Sequence, residues 1–107
     1  MNDVKSTVVR NLLRIAPHLQ IVHHIPGRIR LRISPSGLQT ALEIDLRQIR
    51  DNVPGILSLR INALVGSIVI EYDRNRLNPD LWNLLSRLRM APELRAEAES
   101  RLTSLWD

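Results

Sequence analysis

The sequence predicts an α+β domain in which helices cover one side of a small antiparallel sheet. Two observations carry that prediction. Residues 28–33 read Arg-Ile-Arg-Leu-Arg-Ile, and residues 56–62 and 67–72 repeat the same two-residue alternation. The segments between and around them instead place aliphatic residues three and four apart, the spacing of a helix with one buried face. A two-residue period with one apolar and one polar set describes a strand with one dry and one wet face, and no helix can use it.

The chain has 107 residues, one domain's worth, and at that size roughly two-thirds of the unfolded surface can be buried. The core must be aliphatic, since Phe is absent and the aromatic residues are Tyr72, Trp82 and Trp106. Fifteen Lys and Arg stand against eleven Asp and Glu, a net charge of +4, and Lys5 is the sole lysine. Arginine suits planar, bidentate recognition of carboxylate or phosphate; the plainer alternative is a solvated charged face. With no cysteine, a disulfide framework, a thiolate nucleophile and a thiolate metal site are excluded. No apolar run approaches the roughly 18–20 residues of a membrane span. Arg10 and Arg14 interrupt what would be the apolar part of a secretory signal, so a cytoplasmic protein is expected.

In chain order, Val4, Val8, Leu12 and Ile15 form one helical stripe, with Lys5, Arg10 and Arg14 mostly off it, and Ala16-Pro17 ends the helix. This basic amphipathic segment is expected to pack on its own domain, with contact to an acidic membrane surface as the alternative. The run His23-His24-Ile25-Pro26-Gly27 then leads into the arginine strand. Carrying the parity back puts Ile21, His23 and Ile25 on the core side with Ile29, Leu31 and Ile33, and His24 outside with Arg28, Arg30 and Arg32. Pro26-Gly27 is a turn or bulge signal that places the strand start near Arg28.

Ser34-Pro35-Ser36-Gly37 closes the strand and opens a helix with Ser36 as N-cap. Its expected inward stripe is Leu38, Ala41, Leu42, Leu46 and Ile49, running to about Asn52 before Pro54-Gly55. Residues 56–62 put Leu57, Leu59 and Ile61 inside and Arg60 outside, and a short connection to Gly66 leads into Ile68, Ile70 and Tyr72, again inward. This is a hairpin, and its outward Glu71 can pair with Arg30 or Arg32. Asn78-Pro79-Asp80 supplies an N-cap, a first helical position and an acidic first turn, followed by Leu81, Leu84, Leu85 and Leu88 inward. Met90-Ala91-Pro92-Glu93 breaks that helix, and Leu94, Ala98, Leu102 and Leu105 define another.

The β-α-β-β-α run is the ferredoxin-like arrangement short of its last strand. The expected organisation is an N-terminal helix over residues 1–19, a ferredoxin-like domain over 20–89 and a helical extension over 90–107. The fourth strand of that fold pairs with the outer edge of the first, so the arginine strand is expected to be an open edge. A terminal segment or another chain must then cover it.

The segments HHIPGRIRLRI, VPGILSLRINALVGSIVIEYD and LNPDLWNLL together resemble the cysteine-less branch of heavy-metal-associated domains. Such domains occur alone or in front of metal-transporting P-type ATPases. The resemblance covers about residues 20–89 and rests mainly on the PGRxRxRI core and on Gly66, Ser67, Glu71, Tyr72 and Asp73. In metal-carrying members two cysteines on the loop after the first strand grip a soft cation. The matching loop here is Ser34-Pro35-Ser36-Gly37, whose hydroxyls and backbone are poor ligands for such an ion, so the scaffold carries over and the soft-metal handoff does not.

For binding, Arg28, Arg30, Arg32 and Arg60 make a cationic strip suited to an acidic protein partner. The resemblance implies that this partner is a P-type ATPase or another transporter, and an open arginine edge implies a homo-oligomer. Nucleic acid is disfavoured, because sheets that bind single strands stack bases on exposed aromatic residues and none is available. His23 and His24, with His18 nearby, suggest a divalent-metal or haem site. Neighbours on a strand point to opposite faces, however, so a site would need a bulge at Pro26 or a second chain. No catalytic constellation is present: no glycine-rich phosphate loop, HExxH, nucleophile elbow or carboxylate pair occurs. The expected protein is therefore a non-enzymatic accessory or regulatory module of metal homeostasis with no cofactor of its own.

Overall fold

Helices form where capping side chains and apolar stripes coincide, and strands where the period is two. The computed structural model describes residues 3–107. Helix α1 spans Val4–Ile15, with the Asp3 carboxylate accepting the Ser6 backbone N–H at 2.8 Å as its N-cap. A short 3-10 turn, Ala16–His18, leads into strand β1, Leu19–Ile25, and a turn at Pro26-Gly27 into strand β2, Arg28–Ile33. Gly27 has φ +98°, the left-handed conformation that the second central position of a Pro-Gly turn demands. Helix α2 is Pro35–Glu43, helix α3 Leu46–Asn52, strand β3 Ile56–Asn62, strand β4 Ser67–Tyr72, helix α4 Pro79–Ser86 and helix α5 Arg95–Thr103.

The four strands form one antiparallel sheet in the order β1-β2-β4-β3. This is an α+β architecture, compatible with the ferredoxin-like expectation, but two features of it were not foreseen. The stretch before Pro26 is a full strand folded back on β2, not an approach to it. The arginine strand is therefore not an edge: β1 fills one of its ladders and β4 the other. The C-terminal residues are helical as expected, and the strand on the second side of β2 comes from the N-terminal part of the chain.

The hairpin also reverses the expected parity of β1. Across a two-residue turn Ile25 lies directly opposite Arg28, and His23 opposite Arg30, so both sit on the arginine face. His24 lies opposite Ile29 and faces the core side. A bulge between Ile21 and His23 then returns Ile21 to the core side, opposite Leu31. Ile25 is accordingly 50% exposed where burial was expected.

The helices cover the face that carries Ile29, Leu31, Ile33, Ile68, Ile70 and Tyr72, all buried. Val8, Leu12, Leu13 and Ile15 of α1 and Ala98 and Leu102 of α5 join the same cluster, and Leu105 and Trp106 pack against it. Of the α1 stripe, Val8, Leu12 and Ile15 are thus occupied in the core, while Val4 is 44% exposed. No described helix is long and apolar enough to cross a membrane.

The expected single helix after β2 is two. Ser34, not Ser36, is the N-cap, its Oγ accepting the Gly37 N–H at 3.1 Å. Asp45 then restarts the chain by accepting the N–H groups of Arg47 and Gln48, so the helical phase is not continuous. Ala41, Ile44 and Ile49 are buried, while Leu42 is 84% exposed. A second bulge, between Ile56 and Ser58, turns Leu57 out to solvent.

A prediction follows from the two faces of β2. Leu31→Ala should lower unfolding free energy by about 2–5 kcal/mol, because the cavity forms between fully packed layers. Arg30→Ala should change it by about 0.5 kcal/mol or less. Urea denaturation of the two variants checks the difference.

Candidate functional site

Residues directly paired across antiparallel strands project from the same face, so the ladders define the open side of the sheet row by row. One row is Ile25, Arg28, Glu71 and Ser58; the next is His23, Arg30, Val69 and Arg60; the third is Gln20, Arg32, Ser67 and Asn62. The sequence-predicted residues Arg28, Arg30, Arg32 and Arg60 are thereby brought onto one surface, all exposed. His23 joins them, and His24 does not.

Glu71 is the single carboxylate in these rows. It does not pair with β2: its Oε1 accepts the Ser58 hydroxyl at 3.1 Å and lies 3.6 Å from Arg60 Nη2. Both partners of that ion pair are largely exposed, so the contact is worth at most about 1 kcal/mol. Among the described residues no carboxylate pairs with Arg28, Arg30 or Arg32. Positions two apart on a strand are about 7 Å apart, where unit like charges in water repel by roughly 0.6 kcal/mol. The fold tolerates that repulsion, and an anion between two such guanidinium groups would convert it into attraction. His23, Ile25, Arg28 and Arg30 border a shallow hollow of about 200 Å³ at the β1 side of this face.

His24 has a structural position. Its Nε2 is 2.6 Å from the Tyr72 hydroxyl, and the Tyr72 ring packs at 5.5 Å, centroid to centroid, against Trp82. Burial first, and the neighbouring His23 second, hold the His24 pKa below that of a free imidazole. The pair ties the edge strand β1 to the end of β4. His18 is also accounted for: its Nδ1 lies 3.3 Å from both the Ser34 and the Ser36 hydroxyls. The Ser34–Gly37 loop is thus a hydroxyl–imidazole network around a helix cap. No group of three or more His, Cys, Asp or Glu side chains converges among the described residues. Gly37 completes the loop, since a Cβ there would meet His18 Cβ at 2.5 Å and Ile33 Cγ1 at 2.7 Å.

Sequence reasoning missed β1 and the identity of the histidine that faces inward. A signal for the first was present: Pro-Gly marks a turn, and here it stands between two extended apolar runs. The bulge that restores parity at Ile21 has no sequence mark that we can identify.

The architecture and face define a cysteine-free α+β module whose sheet presents a cationic surface. The family described as Heavy metal associated domain 2 matches residues 4–104, and the chain belongs to it. The match extends beyond residues 20–89, where the resemblance was legible, into α1 and α5. No curated protein and no solved structure matches the chain.

Two outcomes are expected. A histidine with a lowered pKa takes up its proton less readily when folded, so the unfolded state binds more protons and stability falls as pH drops. The loss should begin near the ordinary imidazole pKa of about 6.5 and continue below it, and His24→Leu should flatten this part of a stability-against-pH profile. Gly37→Ala should destabilise by about 1–3 kcal/mol through overpacking, despite the better helix propensity of alanine, as thermal melting would register.

Proposed function

We propose that this chain is an accessory or regulatory module of metal homeostasis or cation transport that acts by binding an acidic protein partner through the open face of its sheet. It has no catalytic role in this reading, and no thiolate handoff of a soft metal. The scaffold is read as a ferredoxin-like sandwich whose outer strand comes from the N-terminal side. The partner that suits the family's setting is a metal-transporting P-type ATPase or another transporter.

One observation carries the proposal: Arg28, Arg30 and Arg32 stand unpaired on a strand whose ladders are filled on both sides. Both ladders fix the backbone of this strand, so its arginines are presented from Cα positions at a fixed spacing, from which guanidinium groups can take carboxylates. Nucleic acid is the less suitable partner, because Tyr72 and Trp82 are buried and Trp106 packs against the core. Self-association was expected at the same strand; with both ladders of β2 filled, strand pairing between copies would have to use β1 or β3.

Calorimetric titration with a polyglutamate peptide and with a single-stranded RNA of equal length tests this. Binding to the peptide should weaken at least tenfold in Arg28→Glu/Arg30→Glu, with the melting temperature little changed. Tighter binding to the RNA, persisting above moderate salt, would favour a nucleic-acid function instead. Titration of zinc, nickel, copper and haemin should show no stoichiometric signal that His23→Ala or His24→Ala removes.

A further inference from the structure

We infer that the acidic partner engages as an extended segment that adds a strand to the free edge of β1 and points alternate carboxylates at Arg28 and Arg30. This rests on the acidic-partner reading above and specifies how the same site is used. Strand β1 is one of the two edges of the sheet, so the backbone groups on its outer side are free to pair. Natural edges are commonly guarded by charged residues, yet Leu19-Gln20-Ile21-Val22-His23-His24-Ile25 contains no Asp, Glu, Lys or Arg. Val22 and Ile25 are each 50% exposed along it. The other edge, β3, is less suited to an acidic segment, because Glu71 lies one strand away and already draws on Arg60.

The geometry links the edge to the arginines. An added strand lies two strand spacings from β2, about 9.6 Å, a span that an extended glutamate and an extended arginine bridge between them. Over that span the intervening residues are His23 and Ile25, which carry no carboxylate and border the hollow of about 200 Å³ with Arg28 and Arg30. Residues two apart on the added strand repeat with the same pitch as the arginines, so alternating carboxylates stay in register with them. The bulge between Ile21 and His23 divides the edge, and the part beside Arg28 and Arg30 is His23, His24 and Ile25. The docking segment is therefore short. A second copy offers no such match, since the Asp- and Glu-free β1 of a partner copy would bring no carboxylates to the arginines.

The test uses the full chain and two hexapeptides of identical composition, one alternating Glu and Val, the other with three Glu followed by three Val. The alternating peptide should bind at least tenfold tighter than its block isomer. It should slow amide hydrogen exchange at His24, whose N–H points away from β2, and lose at least tenfold in affinity to Arg28→Gln/Arg30→Gln. Equal binding of the two isomers with no β1 amide protected would overturn the edge geometry while leaving an acidic partner at the arginine face intact. Binding of either isomer that the arginine replacements do not weaken would overturn both readings. Concentration-dependent protection of the same amide without peptide would show that a second copy occupies the edge, and would also sink the inference.

Discussion

The burial of one face of β2 is the constraint on which the rest depends. Ile29, Leu31 and Ile33 are at most 4% exposed, and burying each fully is worth roughly 1.5–3 kcal/mol. Because the side-chain period of a strand is two, holding those three residues inside forces Arg28, Arg30 and Arg32 outside. A slip of one residue would bury three guanidinium groups, at a cost no part of this fold could offset. The cationic row is thus enforced by the core beneath it.

The neighbours of β2 extend that constraint. Pairing with β4 sets Ile68 and Ile70 beside Leu31 and Ile29, and β3 adds Leu59 behind them. On the other side β1 is held by its turn at Gly27 and by the His24–Tyr72 contact. These contacts turn a pattern on one segment into a sheet covered on one face and open on the other, which is the geometry an interaction surface needs. The loop at Ser34–Gly37 is built from a serine cap, His18 and a glycine whose site leaves no room for a Cβ. Chemistry of that kind stabilises a turn, and hydroxyl oxygens are poor ligands for a soft ion.

Family membership and the charged surface are separate findings. The heavy metal associated domain 2 match covers both flanking helices, in keeping with a single core to which Val8 and Leu102 belong as fully as Leu31 does. The open face belongs to this chain's own residues, and its charge, four arginines against Glu71, describes what it can attract.

By itself the sequence determined whatever is set by local period and capping: the arginine strand and its faces, the hairpin closing at Gly66, the Asn78 cap and the inward leucines of α4. It also carried the absence of thiolates. Only the tertiary structure decided that residues 19–25 fold back to flank β2, that His23 and Ile25 share the arginine face while His24 meets Tyr72, and that Glu71 turns to Arg60. It likewise decided that the helical phase breaks at Asp45, exposing Leu42. Period and capping act within a few residues of each position, whereas strand order, bulges and side-chain partners depend on segments far apart in the chain competing for one core.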